Sequence, residues 1–500
     1  MSSVSLILKN QTVVLLGNVL NRSLDFLIII ILARKLGVDG FGQYSFLYVY
    51  YSFWAIVVEM GFSTILVREY ARSEETYSLL LGRALLVSSG LCIIAIPLSF
   101  LGLWITDYPV DTIKLALPAS LLVLASARFL SLRKIFSSIF QARYVMHIPI
   151  GIEIVERLFL VTLLLSFSTI SVLAAILLLV GTSLAALLME SGISLKMSGA
   201  PSFQRTTLSM TPIMRASIQT FFTGAAFLVM FKGNVLFISM MISDSAVGIF
   251  HAASRVPEAL GLISAALTAP LFPLLSKKYV ENREGFWSTY GKGIRMMAAI
   301  SMFFACLLMP IITDLVPLLM GEVYRDAGDI AVWLVGAQVL LMVMTLFNST
   351  LFASNQVVLC LIVTSISAGM NLLLNWIFIP IYGLWGSVAA TIISYGMYIP
   401  LGVLVPALRP YSFAVARSLI RPSISITLAM VFVSLVPMPF LLSPIVSGFL
   451  FIIVFVFSGG IRKSDLLLVK EAWPGFNIDS PITRIVLIPR EYLDKITTSE

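Results

Sequence analysis

The sequence predicts an all-α, polytopic membrane protein of about fourteen transmembrane helices, in two pseudo-symmetric six-helix lobes with two further C-terminal helices. Three observations carry that expectation. Of 500 residues, 59% are hydrophobic and only 12% charged, whereas soluble domains run at about 45–50% and about 25%. The apolar residues fall in many blocks of about 20, the length that crosses about 30 Å of hydrocarbon at about 1.5 Å per residue. Finally, a glycine and aromatic segment that opens a long helix occurs once near the start of each half.

The first block, 11–33, is too long for a signal-peptide core. It carries Arg22 and Asp25 with no small-residue cleavage site behind it, so it reads as a retained helix. Blocks at 43–67, 79–105, 115–135, 148–169 and 171–195 follow, completing an N-terminal lobe over residues 1–200. Blocks at 212–242, 246–274, 290–320, 328–352, 357–380 and 384–407 make a C-terminal lobe over 201–410, and 416–436 with 440–459 form an appended pair over 411–460. Almost nothing polar separates neighbouring blocks at 166–171 and at Asp244. Residues 461–500 form a cytoplasmic tail, in which Leu466–Leu468 and Ile485–Ile488 suggest a piece resting on the membrane face.

The basic residues test this arrangement, because cytoplasmic loops collect Lys and Arg. With the N-terminus inside, Lys9, Arg68, Arg72, Arg83, Arg133, Lys134, Arg143, Lys196, Arg205 and Arg215 fall on one side. Lys277, Lys278, Arg283, Lys292, Arg295, Arg409, Arg417, Arg421 and the tail bases from Arg462 to Lys495 join them. Only Arg34, Lys35, Lys114 and Arg325 fall opposite. The asymmetry predicts an even number of spans, both termini cytoplasmic and residence in the cell (plasma or inner) membrane. It also accounts for the net charge of +8 without a nucleic-acid partner. Cys92, Cys306 and Cys360 lie singly in apolar blocks and the histidines are His147 and His251, a distribution that supports neither disulfides, nor a metal centre, nor a cofactor.

After the first span stands ARKLGVDGFGQYSF, and after the seventh ISDSAVGIFHAASR. In both an acid (Asp39, Asp244) precedes a glycine and an aromatic, Gly42 with Tyr44 and Gly248 with Phe250. Each copy then leads a helix that ends in a charged stretch, VREYAR or LSKKY. ARKLGVDGFGQYSF with EMGFSTILVREYAR resembles the N-terminal signature of the polysaccharide biosynthesis and export proteins. These are the Wzx-type oligosaccharide-lipid flippases of the multidrug/oligosaccharidyl-lipid/polysaccharide superfamily. VGIFHAASRVPEALGLISAALTAPLFPLLSK resembles that family's eighth-helix region, and NWIFIPIYGLWGSVAATIISYG its turn between helices 11 and 12. The resemblance runs from Leu6 to about Gly459. It implies a two-lobed alternating-access transporter that moves a polyprenyl-diphosphate-linked glycan to the outer leaflet of the bilayer, with glycan assembly enzymes among its partners.

Charges within apolar spans are the candidate functional residues, since each is costly unless paired or hydrated. Asn18, Asn21, Arg22 and Asp25 lie at helical spacing on one face of the first span; His251, Ser254, Arg255 and Glu258 repeat that spacing beside Pro257. Glu153, Glu156 and Arg157 form a third stripe. On the functional reading these stripes face a shared cavity. Arg22, Arg157, Arg255, Lys232, Asn18 and His251 would bind diphosphate and sugar, arginine suiting phosphate through its planar fork. Glu59, Asp25 and Glu258 would take a coupling proton or sodium ion. The competing reading pairs Arg22 with Asp25, Glu153 with Arg157 and Arg255 with Glu258 as neutral structural bridges; Lys232 and Glu59 have no local partner. Arg128 and Glu190 lie near span ends, where long side chains reach water. The aromatics Tyr44, Tyr48, Tyr50, Tyr51 and Trp54 suit an interfacial belt better than a sugar platform. The outer loops hold no domain-sized stretch and there is no P-loop, so a transporter is expected rather than an enzyme. Alternatives are a drug or peptidoglycan-precursor exporter of the same superfamily and, from another class, a membrane glycan polymerase or ligase.

Overall fold

The computed structural model describes residues 3–72, 77–126, 131–203 and 210–460, and no strand occurs among them. Arg128, Arg205 and the tail segment expected on the membrane face lie outside the described residues. Nine of the described helical stretches are long and apolar enough to cross a membrane, ten if the bent pair at 384–404 counts as one. The first of them, Leu16–Tyr70, is more than twice the length of about 20 residues that one crossing requires.

The chain packs as two compact units, Met1–His251 and Ala252–Glu500, where the repeat suggested lobes dividing at 200/201. The first unit opens with α1 (Ser3–Glu59), α2 (Phe62–Arg72) and α3 (Tyr77–Ile105). Helix α1 is two helices joined at Gly37, whose φ of 68° and ψ of −176° suit a residue without a Cβ. Its arms cover the expected first span and the expected second span, 43–67, as far as Glu59, the remainder of which falls in α2. At the next break Met60 and Gly61 adopt φ of 52° and 78°. A Cβ on Gly61 would lie 2.6 Å from the Ser217 carbonyl oxygen, so this turn also sets how closely α9 (Thr211–Met241) approaches.

The expected span 115–135 is not one helix. It is replaced by α4 (Val110–Ala119), the single turn α5 (Leu122–Ala125) and α6 (Leu132–Ala142). Pro118 lies in the last turn of α4, and the extended backbone at Ser126 and Ser131 is bridged by Ser131 Oγ donating to the Ser126 carbonyl at 2.7 Å. Hydrophobicity averaged over about 20 residues smooths over such a break. Then α7 (His147–Ser166) and α8 (Val172–Ser198) separate where almost nothing polar marked a boundary. Lys35 supplies the missing polarity, its ammonium donating to the carbonyls of Leu164, at 2.8 Å, and Phe167, where the α7 dipole ends negative.

The two repeat segments pack directly on one another inside the first unit, the second at the head of α10 (Asp244–Ala259). Asp39 accepts a hydrogen bond from the Ser245 hydroxyl, and Ser45 Oγ and His251 Nδ1 lie 2.6 Å apart; both pairs are 206 residues apart in sequence. Gly42 and Gly248 stand at the same separation. A Cβ on Gly42 would fall 1.8 Å from the Asp244 carbonyl oxygen, and one on Gly248 2.3 Å from that of Val38. Glycine is required because the helices touch through their backbones. Packing therefore aligns Asp39 with Ser245 rather than with Asp244, whose side chain instead accepts from Ser239 Oγ at 3.2 Å.

The second unit contains α11 (Gly261–Glu281), α12 (Arg283–Met320), α13 (Arg325–Ala353), α14 (Val357–Tyr382), α15 (Leu384–Gly396), α16 (Tyr398–Leu404), α17 (Arg409–Leu435) and α18 (Ser443–Phe457). Many of its buried hydroxyls donate to carbonyls of their own helix, as Thr350, Thr391 and Ser394 do, and a few reach the backbone of another helix. Tyr290 donates to Tyr411 O at 3.0 Å, Tyr398 to Leu340 O at 3.2 Å and Ser412 to Tyr398 O at 2.6 Å. Ser447 donates to Cys306 O at 2.8 Å, tying α18 to α12.

Substituting Gly248 with Ala should lower stability by about 1–3 kcal/mol through overpacking. Gly336→Ala, at a helical site with open space around it, should be neutral or stabilising. The melting temperatures of the two purified variants in detergent provide the comparison, and equal values would remove the close-contact argument.

Candidate functional site

The charges inside the first unit form two connected groups across α1, α6, α7 and α8. In the first, Arg157 of α7 holds Asp25 of α1, with Nε to Oδ1 at 2.7 Å and Nη2 to Oδ2 at 3.5 Å. Arg157 Nη1 also reaches the Glu153 carbonyl at 3.0 Å and its carboxylate at 3.4 Å. Glu153 in turn accepts from Asn21 Nδ2 at 3.2 Å and pairs with Lys134 Nζ at 3.4 Å. The i+4 pair within α7 thus exists, but as one link of an interhelical chain. The expected Arg22–Asp25 pair is not formed, because Asp25 turns to Arg157. Asn18 and Arg22 are exposed on α1, and among the described residues Arg22 has no ion-pair partner.

The second group centres on Arg133, at the start of α6 and wholly buried. Its Nη1 donates to Glu156 Oε2 at 2.7 Å and its Nη2 to Glu190 Oε1 at 2.5 Å. Ser183 Oγ donates to Glu156 Oε1 at 2.7 Å, and Ser137 Oγ lies 2.7 Å from Glu190 Oε2. Two sequence expectations are corrected here. Arg133 was expected among cytoplasmic loop bases and Glu190 at a span end reaching water, yet both are 0% exposed. Only the broken fourth span brings Arg133 inward. Its sequence signal was its own position, since Arg133 falls inside the apolar block 115–135.

Glu59 is also fully buried. Its Oε2 accepts from Gly61 N at 2.9 Å and its Oε1 from Ser63 N at 2.7 Å, so it caps α2 and fixes the turn at Met60 and Gly61. His251 is buried, bonded to Ser45 and set against the Phe41 ring at a centroid distance of 5.8 Å. Lys232 is half-buried on α9, next to buried Gly233 and Asn234. In the second unit Arg255 Nη1 pairs with Glu258 Oε2 at 2.9 Å, as its i+3 spacing suggested. The expected aromatic belt is mixed: Tyr44 and Tyr51 are buried, and Tyr50 donates to the Ser99 carbonyl at 2.6 Å. Among the described residues no group of three or more His, Cys, Asp or Glu could hold a metal ion.

Long apolar helices with ion bridges between them define a multi-pass membrane protein. The structure is similar to that of the lipid II flippase MurJ in an inward closed conformation, with a TM-score of 0.70, 15% identity, and 89% of this chain and 99% of that one covered. It is also similar to an inward-facing multidrug resistance MATE family transporter of the MOP superfamily, with a TM-score of 0.59, 16% identity, and 78% and 94% covered. At these identities the likeness shows the fold. Residues 7–278 match the polysaccharide biosynthesis protein family, more than half of the chain, and the chain belongs to that family. A relative from Haloferax volcanii, described as the probable low-salt glycan biosynthesis flippase Agl15, is 28% identical over 167 residues, which cover 33% of this chain and 35% of that protein. The match thus spans about a third of that relative's length.

Replacing Arg133 with Ala would strand two buried carboxylates and should cost about 3–5 kcal/mol. Lys114→Ala, which breaks an exposed pair with Asp111, should change stability by less than about 1 kcal/mol. Thermal unfolding of the two purified variants tests the contrast.

Proposed function

We propose that this protein carries a polyprenyl-diphosphate-linked glycan from the cytoplasmic to the outer leaflet by alternating access. Membership of the polysaccharide biosynthesis family and the glycan flippase description of the Haloferax relative support this substrate class over a drug. The observation that carries it is the state of Arg22. The acid one turn away, Asp25, is committed to Arg157, while Arg22 stays exposed on the helix. A guanidinium so placed suits the diphosphate of a lipid carrier, with Asn18 one turn along the same helix for a hydroxyl or phosphate oxygen. Arg157 contributes indirectly by keeping Asp25 from neutralising Arg22. Arg255, Lys232 and His251 are further candidates for substrate contact.

In this reading the termini lie in the cytoplasm of a cell bounded by this membrane, the moving bodies are the lobes 1–200 and 201–410, and a proton or sodium ion drives the cycle. Glu59, Asp25 and Glu258 are the candidate coupling carboxylates. The positive-inside distribution of Lys and Arg supports the orientation.

Deletion of the gene should cause a lipid-linked glycan intermediate to accumulate on the cytoplasmic leaflet; accumulation of no such intermediate would sink the proposal. In the deletion strain, Arg22→Ala, Arg255→Ala and Lys232→Ala should each restore export poorly at normal protein abundance. For Arg22, loss of a charged hydrogen bond worth about 1.5–3 kcal/mol predicts a fall of about tenfold or more. Normal export by all three variants would refute the binding assignment.

Glu59→Gln should weaken the dependence of export on a sodium or proton gradient, measured in vesicles with imposed gradients. Unchanged ion dependence would leave Glu59 as a helix cap alone.

A further inference from the structure

Helix α17 turns one face away from the protein, and the two halves of that face differ in chemistry. Arg409, Phe413, Arg417, Ile420, Ile424 and Leu428 recur at steps of three and four residues, and all are exposed. Arg421, one turn beyond Arg417 on the same side, is exposed as well. The bases are thus confined to the first half of the helix, and the second half is apolar. Counted back from Leu435, where α17 ends, the stretch of about 20 residues that crosses a bilayer begins near Arg417. Arg417 and Arg421 therefore stand where hydrocarbon meets headgroups, within reach of the polar layer. Ile420, Ile424 and Leu428 lie at the depth of acyl chains.

No acid stands beside these bases among the described residues. The chain from Ile330 to Gly460 contains neither Asp nor Glu. Helix α12 runs alongside α17, with Tyr290 donating to Tyr411 O at 3.0 Å and Ser423 Oγ lying 3.7 Å from Met302 Sδ. Between those two contacts α12 supplies Lys292 and Arg295 and no acid. Helices α16 and α18, which also pack on α17, carry no charged residue. The tail over 461–500 holds six acids and six bases, so it brings no net negative charge. Two arginines one turn apart repel each other unless an anion lies between them. Arg421 is held in place, its Nη1 donating to the Gly459 carbonyl just beyond α18, where Gly459 has φ of 68°. That bond uses one of the five N–H groups of its guanidinium.

We propose that this face of α17 binds an anionic phospholipid of the bilayer, its phosphate held between Arg417 and Arg421 and its acyl chains laid along Ile420, Ile424 and Leu428. The planar fork of arginine matches a phosphate. A free phosphate ion would meet the bases alone and leave the apolar half of the face without a partner, whereas a lipid matches both halves in order. The bound lipid supplies the negative charge that α12 and α17 lack at this level. This assignment does not rest on the glycan reading, and its test follows no export.

The test is native mass spectrometry of the full-length protein in detergent, titrated with phosphatidylglycerol or with zwitterionic phosphatidylcholine. The wild type should hold phosphatidylglycerol about tenfold or more tightly than phosphatidylcholine, as expected for charged hydrogen bonds to phosphate. Arg417→Gln and Arg421→Gln should each reduce that preference by about tenfold. Arg417 takes part in no hydrogen bond or ion pair among the described residues, so its variant decides the matter if Arg421→Gln, which also loses the Gly459 contact, does not fold. Lys114→Gln, at an exposed base of the first unit, should leave the preference unchanged. Equal affinity of the wild type for the two lipids, an undiminished preference in Arg417→Gln, or an equal loss in Lys114→Gln would each overturn the site. A dimer without bound lipid would assign the face to a second copy and overturn it too.

Discussion

Arg133 donates to carboxylates on two different helices from a position with no exposure to solvent. The rest of the first unit depends on this contact, because α4, α5 and α6 are too short to hold a position in a membrane by themselves. The helix break that delivers Arg133 to the interior leaves polar backbone near Ser126 and Ser131, and the arginine reaches toward it with a 3.4 Å contact to Ala125 O. Break and bridge support each other: the charge requires the break to enter, and the broken segment requires the charge to stay put. Buried ion bridges are not strong contributors to stability compared with apolar packing, but removing one member leaves the others uncompensated. This makes the bridge a fixed point of geometry more than a source of stability.

Beside it, Asp25, Arg157, Glu153, Asn21 and Lys134 extend the polar network from α6 and α7 to α1. The second unit is organised differently. Its described interhelical polar contacts are largely hydroxyl to carbonyl, as at Tyr290, Tyr398, Ser412 and Ser447. A hydroxyl that satisfies a carbonyl brings no net charge into the apolar interior, so packing there is insensitive to ionisation. Within the first unit, a change in one charge is felt by every partner bonded to it.

Much of this was legible in the sequence. Helical spans were readable because each apolar block is long compared with the turn that ends it. The short breaks at 167–171 and 242–243 were also legible, although the lysine that caps one of them was not. The fourth span was misread because hydropathy averages over about 20 residues, and Pro118 with serines at 120, 126 and 131 is too slight a disturbance to register. The Arg255–Glu258 pair followed from local spacing. Asp25 with Arg157 and Arg133 with Glu190 did not, since their partners are 132 and 57 residues apart and depend on which helix faces touch. Glu59 looked like an isolated intramembrane acid because its partners are backbone N–H groups, which every residue but proline has. The repeat was visible as spacing, but that its two copies meet face to face required coordinates.

The crossing of those segments limits what each of them can be. Positions 39 and 245, 42 and 248, and 45 and 251 each face their own counterpart at one constant separation. Identical side chains set against each other at such a crossing are a tolerable arrangement for two glycines and a poor one for two histidines or two aspartates. Gly42 and Gly248 are the same residue because backbone contact demands it, while Asp39 with Ser245 and Ser45 with His251 are complementary hydrogen-bonding pairs. With such complementary pairs in place, neither segment of the crossing can be exchanged for a copy of the other without setting two donors or two acceptors face to face.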